Sequence, residues 1–375
     1  MIRSRAAVLT VSGAPAPYAV SRPLQVVELG LADPGEGELL IEIHAAGLCH
    51  SDLSVINGSR PRPLPMVLGH EAAGEVTAIG PATEGFAVGD RVVLAFVPSC
   101  GECGPCLDGR SALCEPGAAA NTAGTLLGGE RRWIADSGEQ HEHHLGVSAF
   151  AERTVVSARS AIKIPDQLDF ATAAVFGCAA LTGVGAAINA AKIQPGESVA
   201  IFGLGGVGMS ALLGSKLAGA SRIIAIDPVE SKRNLALELG ASEVLDGGPS
   251  CAEQVRKLTS GGTNKSIETA GNAKVLEAAY AATARGGTTV TVGLPDPSQM
   301  LTIPAVSLTA EERTLRGSYL GSANPREQLP KLFAWWQEGR LPLERLISDR
   351  IDLDSLNEGF DRLADGSAIR QIMVR

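Results

Sequence analysis

The sequence predicts an α/β fold in two domains: a doubly wound parallel sheet, and a mostly β domain of short strands. Three observations carry this expectation. Residues 1–99 read as short apolar or alternating strands between Gly, Pro and Asp turns. Beyond Asp166, short buried strands alternate with helical patterns, as a parallel sheet covered on both faces requires. One of those strand–helix junctions is a glycine-rich turn, Gly203-Leu204-Gly205-Gly206-Val207-Gly208.

Composition sets the bounds. A chain of 375 residues suggests two domains and buries a substantial core. With 45% hydrophobic and 19% charged residues it is globular. A formal net charge of −9 argues against nucleic acid or an anionic membrane surface as partner. No apolar run reads as approaching the ~20 residues of a membrane helix. Arg3 and Arg5 are followed by Gly13, Pro15 and Pro17, a poor signal peptide, so the cytoplasm is the default expectation. Seven cysteines is an odd number, and four lie between 100 and 114, which suggests metal binding instead of disulfides.

In chain order, Ala6–Val11 reads as a first strand, followed by Val26–Leu29, Leu39–His44, Glu75–Ile79 and Arg91–Ala95. Between them stands Gly47-Leu48-Cys49-His50-Ser51-Asp52, a thiol, an imidazole, a hydroxyl and a carboxylate in four consecutive residues. A second polar cluster follows at Gly69-His70-Glu71. Thiolate and neutral imidazole are good zinc ligands, and three protein ligands leave a fourth position open for chemistry. Cys49 and His70 supply two, and Cys178, in Phe176-Gly177-Cys178-Ala179, is the candidate for the third.

Cys100, Cys103, Cys106 and Cys114 lie on a Gly/Pro-rich loop. Four thiolates make a closed structural zinc site. The first three match an iron–sulfur run, but the gap to the fourth and the Glu115 that follows favour zinc. Residues 115–147 show little regular pattern, and His141, His143 and His144 read as a solvated loop or one lining a site entrance. Ser148–Val156 returns to a strand, and Phe170–Ala191 reads as two helical segments.

Glu197–Phe202 is a buried strand that leads into the glycine turn and a helix. Arg222–Asp227 is the next strand, and Lys232–Leu239 the next helix. In that context Gly203–Gly208 is the dinucleotide fingerprint. Gly203 permits the tight turn, Gly205 lets backbone approach a pyrophosphate, and Gly208 lets helix and strand pack closely. Asp227 accepts hydrogen bonds from the adenosine ribose and repels a 2′-phosphate, while Pro228 offers no cation, so NAD is expected over NADP. Lys265–Thr269, Ala273–Arg285, Thr288–Val292 and Thr314–Ser318 continue the alternation as strand, helix, strand and strand. Pro325–Glu338 and Leu356–Leu363 read as helices, and Ile369–Val374 as a last strand rejoining the first domain.

Together these pieces resemble the zinc-dependent medium-chain alcohol dehydrogenase family, over nearly the whole chain. The resemblance implies a GroES-like catalytic domain, 1–180 with 322–375, around a central Rossmann domain, 181–321. It implies Cys49, His70 and Cys178 as catalytic zinc ligands, Ser51 as the hydroxyl taking the substrate proton, and Asp52 and Glu71 as carboxylates behind the metal. Cys100, Cys103, Cys106 and Cys114 become the structural zinc ligands, giving two zinc ions per subunit. His50 and Arg370 match pyrophosphate contacts, Lys232 the adenosine ribose contact, Thr182 and Val292 positions near the nicotinamide, and Phe96 the substrate pocket. The activity implied is reversible hydride transfer from a primary or secondary alcohol to NAD, by a homodimer, with a tetramer as the other assembly. Two departures stand out. Ser54 replaces a relay histidine of many animal members. Arg60 and Cys114–Gly117 stand where the glutathione-dependent formaldehyde dehydrogenase branch carries an Asp and an Arg. That branch, and a nucleotide-binding protein without turnover, are the alternatives.

Overall fold

The computed structural model describes all 375 residues, in two compact units. One comprises Met1–Cys178 and Asn324–Arg375, the other Ala179–Ala323.

The first unit is built on strand pairing. Strands Ile2–Leu9, Leu24–Leu31, Trp133–Ile134, Gln140–His143 and Met66–Val67 close a small barrel. Leu29, Leu31, Val67, Trp133 and Val155 fill a core there, so closure buries what an open sheet would leave wet. Beside it lies a seven-stranded sheet whose long strand Glu38–Gly47 pairs with Glu71–Ile79, Arg153–Ser157 and Gln371–Val374. Register places the site. Gly47 faces Glu71 on one side and Ile372 on the other. The residues just beyond those strand ends, Leu48–Asp52, Gly69–His70 and Arg370, are therefore brought to one rim.

Segment 115–147 corrects the expectation of a loop. It holds helix Glu115–Ala123 and the two short barrel strands Trp133–Ile134 and Gln140–His143. Strands of two and four residues are too short to show a period in sequence. His141, His143 and His144 are buried, not solvated. The His143 Nε2 accepts the Arg132 backbone N–H at 3.2 Å, and burial pushes His143 down to about 3, so the ring stays neutral inside the barrel wall.

Phe170–Ala190 forms one helical run in which α-helical turns alternate with π turns at Phe176–Ala180 and Ala186–Ala190. At 21 residues it is long and apolar enough to cross a membrane. This corrects the reading that no such run exists. The run is almost wholly buried inside the protein, which explains why it is apolar all round.

The second unit is a six-stranded, wholly parallel sheet. Its order is Glu243–Leu245, Arg222–Ile226, Ser198–Phe202, Thr263–Glu268, Thr283–Thr291, Thr314–Gly317. Ala200, Phe202, Ile224, Val255 and Ala279 pack a core between sheet and helices, the reason these strands read as continuous apolar runs. Helix Ala273–Ala282 stops before Arg285, because Thr283 already begins the next strand.

Candidate metal and nucleotide sites

The first unit brings Cys49, His70 and Cys178 together, with their ligand atoms within 4.8 Å of one another. Cys49 caps helix His50–Ile56, directly after the strand end at Gly47. His70 follows Gly69, whose φ of +93° and whose missing side chain are both needed, since a Cβ would lie 2.4 Å from the Phe150 nitrogen. Cys178 sits in the π turn Phe176–Ala180, packed so closely that a Cβ on Gly177 would meet the Leu94 carbonyl at 2.4 Å. Single π turns of this kind are frequent at functional sites.

Charge in this pocket is arranged around His70. Asp52 is fully buried, and its Oδ1 accepts the Gly69 N–H at 3.1 Å and lies 3.1 Å from His70 Nδ1. Burial opposes its ionisation, yet the neighbouring His70 and His144 imidazoles hold Asp52 well below the usual carboxylate range. His70 Nε2 is buried and has no hydrogen-bond partner. Such an orphan costs free energy unless something binds it. A hydrogen bond from Cys178, against the effect of burial and aided by His70 and Arg370, draws Cys49 well below an ordinary thiol. Two soft thiols and one imidazole nitrogen fit zinc, which takes them as thiolates and a lone pair when it displaces their protons.

Behind these donors Arg370 is buried, donates to the Leu48 carbonyl at 2.7 Å and lies 3.3 Å from Glu71 Oε2. It thereby ties the Cys49 backbone to Glu71, whose carboxyl burial pushes up to about 7 against the pull of the guanidinium. His50 and Ser51 open helix His50–Ile56, and the Ser54 hydroxyl donates to the Ser51 carbonyl at 2.8 Å. Phe96 stands edge-on to the His70 ring at 5.4 Å.

The four cysteines 100, 103, 106 and 114 also converge within 4.8 Å, and none forms a disulfide. Backbone N–H groups of Glu102 and Cys103 point at Cys100 Sγ at 3.4 and 3.3 Å, and those of Cys100 and Gly117 at Cys114 Sγ at 3.2 and 3.3 Å. The Glu102 amide leads in lowering Cys100 to about 7. Amides aimed at sulfur favour thiolate, the form a metal takes.

In the second unit the glycine turn leaves strand Ser198–Phe202 and opens helix Gly206–Leu217. Gly203 has φ +94°, and a Cβ on Gly208 would lie 1.9 Å from the Gly203 carbonyl oxygen. Gly205 differs, since a Cβ there would meet nothing within 4 Å. Its bare face and the helix N-terminus, which carries no side-chain cap, form an open cradle suited to a pyrophosphate. Asp227 is buried at the end of strand Arg222–Ile226, accepting the Leu204 N–H at 2.7 Å and the Val229 N–H at 2.9 Å. Lys232 is buried on helix Glu230–Leu239, and Thr182 on helix Leu181–Gly185. Val292 follows strand Thr283–Thr291 and donates its N–H to the Glu268 carbonyl at 2.9 Å.

Sequence reasoning missed two residues. Arg233, one turn into its helix, donates from one nitrogen to the Asp227 and Pro228 carbonyls, both at 2.8 Å, and so supplies the cation that Pro228 does not. The other is His144, whose Nδ1 lies 3.0 Å from Asp52 Oδ1. A His-rich stretch was its only signal.

Residues 35–166 match the alcohol dehydrogenase GroES-like domain family, and residues 206–338 the zinc-binding dehydrogenase family. The NDMA-dependent alcohol dehydrogenase of Amycolatopsis methanolica is 36% identical, covering 100% of this chain and 99% of that protein. Among solved structures, the alcohol dehydrogenase zinc-binding domain protein of Burkholderia ambifaria superposes with a TM-score of 0.93 at 33% identity, covering 100% of this chain and 99% of that one. Benzyl alcohol dehydrogenase from Acinetobacter calcoaceticus gives 0.90 at 30% identity, again covering 100% and 99%. The chain therefore belongs to the zinc-dependent medium-chain alcohol dehydrogenase family.

Proposed function

We infer that this alcohol dehydrogenase oxidises primary or secondary alcohols to aldehydes or ketones, reversibly, with NAD as hydride acceptor and zinc held by Cys49, His70 and Cys178. The observation that carries the reading is the buried, partnerless His70 Nε2 facing two thiols. When bound, zinc supplies Lewis-acid polarisation of the substrate oxygen, and nicotinamide supplies the hydride acceptor. The chain's own residues do the rest. Asp52 takes the His70 Nδ1 proton as a hydrogen bond and so presents Nε2 as the nitrogen open to a metal. Arg370 and Glu71 brace the Cys49 backbone. Ser51, two residues beyond Cys49, is the proposed proton acceptor. Phe96 keeps one wall of the pocket apolar. A second closed zinc site at Cys100, Cys103, Cys106 and Cys114 is proposed as structural.

The cradle at Gly205 and the carboxylate of Asp227 support NAD. Asp227 repels a 2′-phosphate, and Arg233 acts in the opposite sense, with one nitrogen already committed to two carbonyls. Asp227→Gly is expected to weaken NAD binding at least ~10-fold, the loss of roughly one charge-assisted hydrogen bond, and to relax discrimination against NADP. Fluorescence titration with both cofactors checks it. A native enzyme already favouring NADP by kcat/KM refutes the assignment.

The activity is tested on an alcohol panel that includes S-(hydroxymethyl)glutathione, with NAD, with NADP, and with NDMA added. NAD-linked turnover of simple alcohols is the expected result, and none with any alcohol would sink the reading. The relative named NDMA-dependent favours a second reading, in which turnover depends on NDMA. Activity that appears only with NDMA present selects it.

A homodimer is the proposed assembly. Thr314–Gly317 is the outer strand of the parallel sheet, with one edge unpaired. Leu294, Met300, Val306 and Leu308, close to it in sequence, expose apolar surface. Edge pairing about a two-fold axis covers such a strand. Light scattering is expected to give twice the chain mass, and a monomer at micromolar concentration rules edge pairing out.

A further inference from the structure

We propose that His144 is a positioning residue for the Cys49, His70 and Cys178 centre, acting on it through the Asp52 carboxylate; this rests on the metal-site reading above. The His144 Nδ1 lies 3.0 Å from Asp52 Oδ1. The same oxygen meets His70 Nδ1 at 3.1 Å and accepts the Gly69 N–H at 3.1 Å. Asp52, His70 and His144 are at most 1% exposed, so no water competes for that oxygen. A carboxylate only accepts, so the His70 Nδ1–H donates to it, while the His144 Nδ1 stands in contact with the same oxygen without the alignment of a hydrogen bond. For His70 this leaves Nε2, the atom that faces the two thiols, as the nitrogen open to a metal. Two imidazoles on one oxygen fix where the carboxylate sits and divide its charge. Asp52 then orients His70 without drawing the whole of its pull onto that ring.

The backbone holds His144 for this task. Its N–H donates to Ser148 Oγ at 2.8 Å, and that hydroxyl donates to the Val67 carbonyl at 2.8 Å. The N–H groups of Val147 and Ser148 return to the His144 carbonyl at 3.0 and 3.2 Å. Leu145 and Ser148 both adopt φ +52°, a region that side chains other than glycine avoid unless the surroundings impose it. The ring stands edge-on to His70, with centroids 5.5 Å apart. His143, its neighbour in sequence, is instead engaged with the Arg132 backbone. Of these two adjacent histidines, His144 reaches the carboxylate behind the metal donors.

The test uses the full chain. His144→Phe keeps an aromatic ring against His70 and removes the polar nitrogen; His144→Gln keeps a polar nitrogen. Chelator competition measures zinc affinity, with the four-cysteine site as internal reference, and cobalt(II) in the three-donor site reports its ligand field. His144→Phe is expected to weaken metal at Cys49, His70 and Cys178 by ~10–100-fold, the usual effect of losing such a partner, and to shift the cobalt bands. His144→Gln is expected to recover most of the loss. Affinity within twofold of the parent with an unchanged cobalt spectrum overturns the proposal. So does an equal loss in both variants, which would make the role one of packing. Should His144→Phe not fold, Ser148→Ala loosens the His144 backbone and leaves its imidazole. A loss of at least about threefold then supports the proposal, and no loss overturns it. A parent protein that binds no metal at the three donors would instead defeat the metal-site reading itself.

Discussion

Cys49→Ser is expected to lower kcat for alcohol oxidation by about three orders of magnitude or more while the protein stays folded. Lewis-acid polarisation contributes several kcal/mol of transition-state stabilisation, and each ~1.4 kcal/mol is tenfold in rate. The substitution removes a thiolate from a three-donor set whose other members, His70 and Cys178, are too few to hold zinc in place. The fold does not depend on that thiol. Strand Glu38–Gly47 keeps its pairing to Glu71–Ile79 and Gln371–Val374, and Arg370 still grips the Leu48 carbonyl. Steady-state kinetics with circular dichroism checks both halves. Retained activity, or collapse of the fold, contradicts the assignment.

Cys103→Ser is expected to do the reverse, lowering Tm by on the order of 10 °C while kcat at low temperature stays within about threefold. The four-cysteine lobe has little else to order it. Its elements are the four-residue helix Gly104–Leu107 and the short turn Ser111–Leu113, and Leu107 and Leu113 are exposed. Cys114 Sγ also accepts the Gly117 N–H and so caps helix Glu115–Ala123, so disorder in the lobe spreads into the segment that leads to the barrel strands. Differential scanning calorimetry checks the expectation. An unchanged Tm argues that the lobe contributes nothing to folding.

How much of this was legible in the sequence depended on the length of each signal. The parallel sheet was readable because strands such as Ser198–Phe202 and Arg222–Ile226 are buried on both faces and stand as unbroken apolar runs beside a glycine turn. The barrel strands Trp133–Ile134 and Gln140–His143 were not, being too short for a period and carrying two buried histidines that composition reads as solvated. Phe170–Ala191 reads as two helical segments, yet it forms one run in which Gly177, Gly183 and Gly185 are points of close backbone approach. At the site, thiols and imidazoles advertise themselves, so Cys49, His70 and the four-cysteine loop were visible. The partners that aim them were less so. His144 meets Asp52 across ninety-two residues of chain, a pairing created by barrel closure and invisible to local pattern.

The proposed metal content is one zinc among Cys49, His70 and Cys178 and another among the four cysteines. An anomalous difference map, measured on crystals of the purified protein on either side of the zinc absorption edge, tests it most directly. Two peaks per chain are expected, one at bonding distance from the Cys49 and Cys178 sulfurs and His70 Nε2, the other centred on Cys100, Cys103, Cys106 and Cys114. A single peak at the four-cysteine lobe, with none beside His70, would contradict it.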